Sequence, residues 1–242
     1  MTDRSVSSDV KALVFDVFGT VVDWRSSLIA DFTAWGAKRG IDGDWEGLVD
    51  AWRGAYVPSM DEVRRNPARG YLALDTLHRR ALDKLVVDFR ISGLSEDDLR
   101  YMTLGWHRLA PWPDSVSGLT RLKSKYVIGT LSNGNVALLT NMAKHAGLPW
   151  DLILSAELFE HYKPDRETYL GAAHLLGLEP DRVMMVAAHN NDLQAAQELG
   201  LKTAFVARPA EYGPHQKRDF KAEGNWDIVA GDFNDLAAKL GV

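Results

Sequence analysis

Asp16 closes the apolar run Leu13-Val14-Phe15, and Val17-Phe18-Gly19-Thr20 follows at once, so one carboxylate and one hydroxyl are handed to the same turn. Other polar groups stand at comparable places. Ser132-Asn133 follows Leu131, Lys163 lies in His161-Tyr162-Lys163-Pro164-Asp165, and His189, Asn190, Asn191 and Asp192 follow the run Val183–Ala188. A carboxylate that a fixed cation keeps ionised and aligned is a competent nucleophile, and hydroxyl and amide groups can bind an anionic substrate. Asp16 with Lys163, Ser132 and Asn133 therefore reads as a site for nucleophilic displacement, after which water hydrolyses the resulting ester. Each group also has a plain reading: Ser132-Asn133-Gly134-Asn135 is good turn chemistry, Asp192 can cap a helix, and Lys163 precedes a proline that opens one. Their convergence is what argues for chemistry.

Convergence requires parallel strands whose C-terminal ends face one way, the place where open α/β sheets bind ligands. The pattern supplies them. Strands are predicted from Lys11 to about Val17, over 126–131, 152–155, 183–188 and 203–206, with Ile228-Val229 as a last one. Between them helices are predicted from Asp114 to about Lys123, over 136–146 closed by Gly147, over 166–176 closed by Gly177, over 193–199 closed by Gly200, and from Asp232 onward. Strands alternating with helices give an α/β fold with a doubly wound parallel sheet. The segment Glu211 to Gly224, polar with Gly213-Pro214, reads as a surface loop.

Between Trp24 and Ala110 the pattern is helical, with no convincing strand. Leu28, Ile29, Phe32 and Trp35 recur at helical intervals up to Gly40. Asp44 caps a segment with Trp45, Leu48, Val49, Trp52 and Tyr56 that Pro58 stops; a longer helix spans Gly70 to Phe89, and Ser95 with Asp98 forms a variant capping box. The tryptophans read as core. About 85 residues is the scale of a small domain. The expected organisation is a Rossmann-like core of residues 10–23 and 110–242 with a helical domain, 24–109, inserted.

The 242 residues are 46% hydrophobic with a net charge of -5, enough to bury a full core and unsuited to a nucleic-acid groove or an anionic membrane surface. A small diffusing substrate is the expected partner. There is no cysteine, which removes disulfides, thiolate metal sites and a cysteine nucleophile. Residues 1–9 read as a polar frayed leader without an apolar signal core, and the cytoplasm is the expected compartment. A symmetric homodimer is the commonest assembly for such a chain.

In order, Asp16-Val-Phe-Gly-Thr20, Leu131-Ser132-Asn133-Gly134, Tyr162-Lys163-Pro164-Asp165 and Ala187–Asp192 resemble the four motifs of the haloacid dehalogenase superfamily. Within it, the chain resembles the L-2-haloacid dehalogenases, over nearly its whole length. The resemblance implies that the helical insert is the family's cap domain and that Asp16 attacks the halogen-bearing carbon from behind, forming an ester with inversion. It implies that Lys163 orients Asp16 and pairs with the substrate carboxylate, Thr20 holds the nucleophile, Ser132 binds the substrate carboxylate, and Arg53 with Asn133 receives the halide. Tyr169 also matches a family tyrosine. The implied substrate is a short halogenated carboxylic acid, (S)-2-haloacid going to (R)-2-hydroxyacid, enclosed by Phe18, Trp24 and cap aromatics, with no cofactor.

Superfamily phosphatases carry a second Asp two residues after the nucleophile and a magnesium-binding acid four before the position of Asp192; here these are Phe18 and Ala188. An alkoxide leaving group needs a proton and a phosphate needs a cation, whereas halide needs neither, so both residues favour metal-free halide displacement. The chain also departs from the dehalogenase pattern. Ala187 replaces a serine, His189 an asparagine and Asn191 an aromatic residue. His189, with Asp192, is expected to activate the hydrolytic water, and Asn191 makes the pocket more polar and suited to a small hydrated halide, which brings fluoroacetate into view. The competing readings are a phosphatase of the same fold and a non-catalytic binding module.

Overall fold

The computed structural model describes residues 9–242, apart from the side chains of Arg69 and His215; the predicted leader, up to residue 8, lies outside the described residues. Six strands form one sheet: β1 (Ala12–Phe15), β4 (Val127–Ser132), β5 (Leu152–Ser155), β6 (Val183–Ala187), β7 (Lys202–Val206) and β8 (Ile228–Ala230). Their order is β5-β4-β1-β6-β7-β8 and every pairing is parallel. The chain builds outward from β1 to β4 and β5, then returns to β6 on its other side. The strand order therefore reverses beside β1, which makes the C-terminal ends of β1 and β6 the switch point of the sheet.

Side chains alternate across β1. Leu13 and Phe15 face a core built with α5 (Ser115–Lys123), α6 (Val136–Ala146) and α9 (Phe233–Lys239); Val14 faces the opposite core with α7 (Arg166–Leu175) and α8 (Asn190–Glu198). Burial on both faces explains why these strands read as unbroken apolar runs. The fold class expected from the sequence is the one observed.

The insert comprises α1 (Trp24–Arg39), α2 (Trp45–Arg65), α3 (Leu74–Asp88) and α4 (Glu96–Thr103). Asp23 and Asp44 accept from the amides of Ser26 and Gly47, and Ser95 with Asp98 makes the expected capping box. Trp24, Trp52 and Trp106 are fully buried, as core residues should be.

Three expectations are corrected here. Pro58 does not stop the second helix, which continues to Arg65; Pro58 and Gly54, whose carbonyl loses the missing donor, both face water, so solvent replaces the bond. The third helix begins at Leu74 rather than Gly70, after a 3₁₀ turn over Pro67–Arg69. The helix expected from Leu193 begins at Asn190, which draws Asn190, Asn191 and Asp192 into its first turn. The sequence also missed a two-stranded ribbon. β2 (Val22–Asp23) pairs antiparallel with β3 (Ala110–Pro111), so the two crossings between sheet and insert lie side by side.

Candidate active site

Asp16 leaves the end of β1 with its backbone amide donating to Val186 O, 3.0 Å, on β6. Its carboxylate is 10% exposed and carries a donor on each oxygen: Lys163 Nζ is 3.0 Å from Oδ1 and Thr20 Oγ1 is 2.7 Å from Oδ2. Thr20 Oγ1 in turn accepts from Ala188 N–H at 2.9 Å, so its proton is committed to Asp16. Lys163 Nζ also reaches Asp192 Oδ2 at 2.5 Å, and the other Asp192 oxygen accepts from Tyr169 Oη at 2.6 Å. Burial pushes the Asp16 carboxyl up, but the Lys163 ammonium and the His189 and Thr20 hydrogen bonds outweigh it and hold it well below the usual carboxylate range. Burial works against the Lys163 charge as well; the two carboxylates raise its pKa above that of an ordinary lysine. The pair is ionised at neutral pH.

His189 precedes α8 and bridges two carboxylates. Its Nδ1 lies 3.1 Å from Asp16 Oδ2 and its Nε2 lies 2.9 Å from Glu211 Oε2. Asp192, expected to act with His189 on the hydrolytic water, lines the same cavity but is hydrogen-bonded to Lys163 and Tyr169. Glu211 is 1% exposed, so the Glu211–Gly224 segment is not simply a surface loop. The other Glu211 oxygen accepts from Trp24 Nε1 at 3.1 Å and lies 3.8 Å from Arg53 Nη2. A Cβ at Gly19 would fall 2.1 Å from that carboxylate, and Gly19 also has φ +87°; both require glycine there. Burial lowers the His189 pKa, yet the Glu211 charge and the bonds to Asp16 and Glu211 lift it well above the ordinary histidine value.

The loop owes its position to buried polar ties. Asn190 donates to Asp219 and the Lys221 carbonyl and accepts from Glu223 N and Trp226 Nε1. Arg208 donates to the Thr20 carbonyl and, through both terminal nitrogens, to Asp114.

Opposite Asp16 stands Arg53 of α2, 11% exposed, with its guanidinium 4.3 Å above the Tyr56 ring and 5.4 Å from the Trp24 ring. Among the described residues its Nε and Nη1 have no hydrogen-bond partner. A buried cation with two idle donors is a ready receptor for an anion. Asp16, Phe18, Arg53, Asn133, Lys163 and His189 are among the residues enclosing a cavity of about 170 Å³ between the sheet and α2. That space suits a small organic acid.

Residues 10–200 match the family described as haloacid dehalogenase-like hydrolase. The chain belongs to that family. The L-2-haloacid dehalogenase PA0810 has a solved structure that is 52% identical, with 96% of this chain and 98% of that one covered at a TM-score of 0.92. The defluorinating L-2-haloacid dehalogenase Rha0230 is 47% identical, with 96% of both chains covered and the same TM-score. The (S)-2-haloacid dehalogenase of Xanthobacter autotrophicus is 30% identical over 203 residues, 82% of this chain and 76% of its own.

In this haloacid dehalogenase-like chain, residues from all four motifs, Asp16, Asn133, Lys163 and Asp192 among them, meet at one place, with Arg53 brought to them from α2. Asn133 Oδ1 accepts from Lys163 N–H at 2.7 Å, which ties the second motif to the third. Asn191 lines the cavity. Ser132 is fully buried and accepts from Gly134 N–H at 3.2 Å; the cavity lining does not include it. Tyr212 and Arg218, from the loop after β7, line the cavity and escaped the sequence reading together with Glu211. In that polar loop nothing marks Glu211 as different from a solvated glutamate.

Proposed function

We propose that this protein hydrolyses the carbon–halogen bond of short (S)-2-haloacids to (R)-2-hydroxyacids, with Asp16 as nucleophile and a covalent ester as intermediate. The observation that carries the reading is the opposition, across one small cavity, of an ionised, lysine-held carboxylate and a buried guanidinium with two unpartnered donors. The names of its relatives, L-2-haloacid dehalogenases at up to 52% identity, support the same activity.

Asp16 attacks the carbon from the face opposite the halogen, and the halide leaves toward Arg53 and Asn133. Inversion follows from that geometry. The idle Nε and Nη1 of Arg53 hydrogen-bond charge that develops as the bond breaks, which is where such donors accelerate a reaction. Lys163 keeps Asp16 ionised and offers a cation to the substrate carboxylate; Ser132 acts from behind the cavity wall, through the Gly134 amide that follows Asn133. Water then attacks the ester, with His189 and Asp192 beside it. The helical insert, residues 24–109 in this reading, closes the site as a cap over the core of 10–23 and 110–242, and displaces bulk water. Ala188 donates its amide to Thr20 where a phosphatase would need a carboxylate, and buried Phe18 occupies the place of the second acid. Neither supports phosphoryl transfer.

The test is halide release, with chelator present, from the separate enantiomers of 2-chloropropionate and from chloroacetate and fluoroacetate. Release from the S enantiomer, abolished by Asp16→Asn, is expected. With enzyme in excess and heavy-oxygen water, label enters Asp16 before the product. Asn191, on the wall of the small cavity, predicts release from fluoroacetate too, more slowly than from chloroacetate. No release from any substrate would refute the assignment. A homodimer, expected from the sequence, is checked by light scattering.

A further inference from the structure

The two oxygens of Asp16 are not equivalent. Among the described residues Oδ1 receives a hydrogen bond from Lys163 Nζ alone, whereas Oδ2 lies between Thr20 Oγ1 at 2.7 Å and His189 Nδ1 at 3.1 Å. The more heavily bonded oxygen is the poorer nucleophile. His189 faces carboxylates through both ring nitrogens, and since neutral imidazole has one N–H, only imidazolium satisfies Asp16 and Glu211 together.

Resting on Asp16 as nucleophile, we propose that Oδ1 attacks the substrate while Oδ2 stays in a two-donor oxyanion site made by Thr20 Oγ1–H and His189 Nδ1–H. Glu211 is the positioning residue that keeps His189 aimed and protonated. This differs from the base role expected of His189 from the sequence. A base must offer a lone pair toward the water, and here Nδ1 carries a proton toward Oδ2.

The step balances as follows. Once Oδ1 is esterified, Asp16 loses its charge, but Glu211 remains against Nε2 and sustains the imidazolium. Water oxygen bonds to Cγ, and the carbonyl pair moves onto Oδ2, where both donors hold it. The water proton passes to a remaining lone pair of Asp192, which lines the same cavity while bonded to Lys163 and Tyr169. Collapse restores the Cγ–Oδ2 double bond and breaks Cγ–Oδ1; the departing alkoxide takes the proton from Asp192 and leaves as the hydroxyacid. Asp16 retains Oδ2 and the water oxygen, and its carboxyl proton goes to solvent.

Asp192, Arg218 and Asp219 line the same cavity as His189, and four other charged groups stand around it. Asp16 faces it from the end of β1 and Glu211 from the loop after β7; Lys163 stands behind Asp16, and Arg53 of α2 stands behind Glu211 at 3.8 Å. Burial opposes the imidazolium, and Glu211 is the largest influence that sustains it. Removing the Glu211 charge therefore lowers the pH at which His189 loses its proton.

The experiment follows one turnover of chloroacetate with enzyme in excess, reading the halide burst, the ester on Asp16 by mass spectrometry of quenched samples, and ester decay across pH. A full halide burst is expected in the wild type and in His189→Gln, His189→Leu and Glu211→Gln. Ester decay should slow by about 10²–10³-fold in His189→Leu and less in His189→Gln, which keeps an N–H donor. In the wild type decay should fall as pH rises through the His189 pKa, and Glu211→Gln should move that fall to lower pH. Decay that instead rises with pH through a limb displaced by Glu211→Gln, equal loss in the Gln and Leu variants, or unchanged decay in both would overturn the inference and leave Asp16 as nucleophile intact. Absence of both burst and adduct in the wild type would remove the Asp16 reading itself. The wild-type pH profile decides the matter even if a variant fails to fold.

Discussion

Lys163 Nζ stands between two buried carboxylates, 3.0 Å from Asp16 Oδ1 and 2.5 Å from Asp192 Oδ2, with its own side chain 7% exposed. It is a cation that lets Asp16 stay charged out of water. Lys163→Met should lower turnover by about 10³-fold or more, because burial then pushes the Asp16 carboxyl up without the opposing ammonium. Breaking a buried pair from one side should also cost about 3–5 kcal/mol of stability, measured by urea unfolding at neutral pH. A variant as stable as the wild type would contradict this account of the cluster.

Arg53 makes the opposite prediction for stability. Among the described residues two of its guanidinium nitrogens are buried without hydrogen-bond partners and its nearest carboxylate oxygen is 3.8 Å away, so the folded chain bears a desolvation cost that the free site does not recover. Arg53→Met should lower halide release by about 10²-fold or more while leaving the melting temperature unchanged or raised. Substrate turnover and thermal unfolding measured on the same preparation check both halves.

His78 supplies a pH dependence away from the chemistry. It is buried against Trp106, ring centroids 4.3 Å apart, with both ring nitrogens unpartnered among the described residues, and burial pushes its pKa down from 6.5 to about 3. The unfolded chain takes up a proton below 6.5 that the folded chain refuses until about 3. The resulting stability is complete above 6.5 and is lost as pH falls through that window. His78→Phe should therefore gain stability relative to the wild type on going from about pH 7 to about pH 4.5, in paired urea titrations.

Asn190 ties the loop after β7 to the start of α8 through Asp219, Lys221, Glu223 and Trp226. Asn190→Ala should cost about 2–4 kcal/mol, since several of these groups lose a buried partner. Amide exchange should rise in residues 211–224, and ester decay should slow as Glu211 loses its fixed position.

The core site was legible because strand ends are local signals. An apolar run followed by a polar residue reports both a buried strand and what it delivers, so Asp16, Asn133, Lys163 and Asp192 could be placed together once the strands were taken as parallel. Ser132 shows the limit of that logic: it ends β4 as expected, but its hydroxyl oxygen accepts from Gly134 N–H and the residue is not part of the cavity lining. The start of α8 was misread by three residues because asparagines at 190 and 191 suit a turn as well as a helix end.

What sequence alone determined was the parallel sheet, the helical insert and the polar residues delivered at the four strand ends, since apolar periodicity and the residue type at each end are written locally. The tertiary structure decided the partner of His189. Glu211 is separated from Trp24 by 187 residues and from His189 by 22, and its place depends on Asn190, Arg208 and the bare backbone of Gly19 meeting around it. A carboxylate's charge state is set by what surrounds it, and for a glutamate in a polar loop those surroundings exist only after the chain has folded.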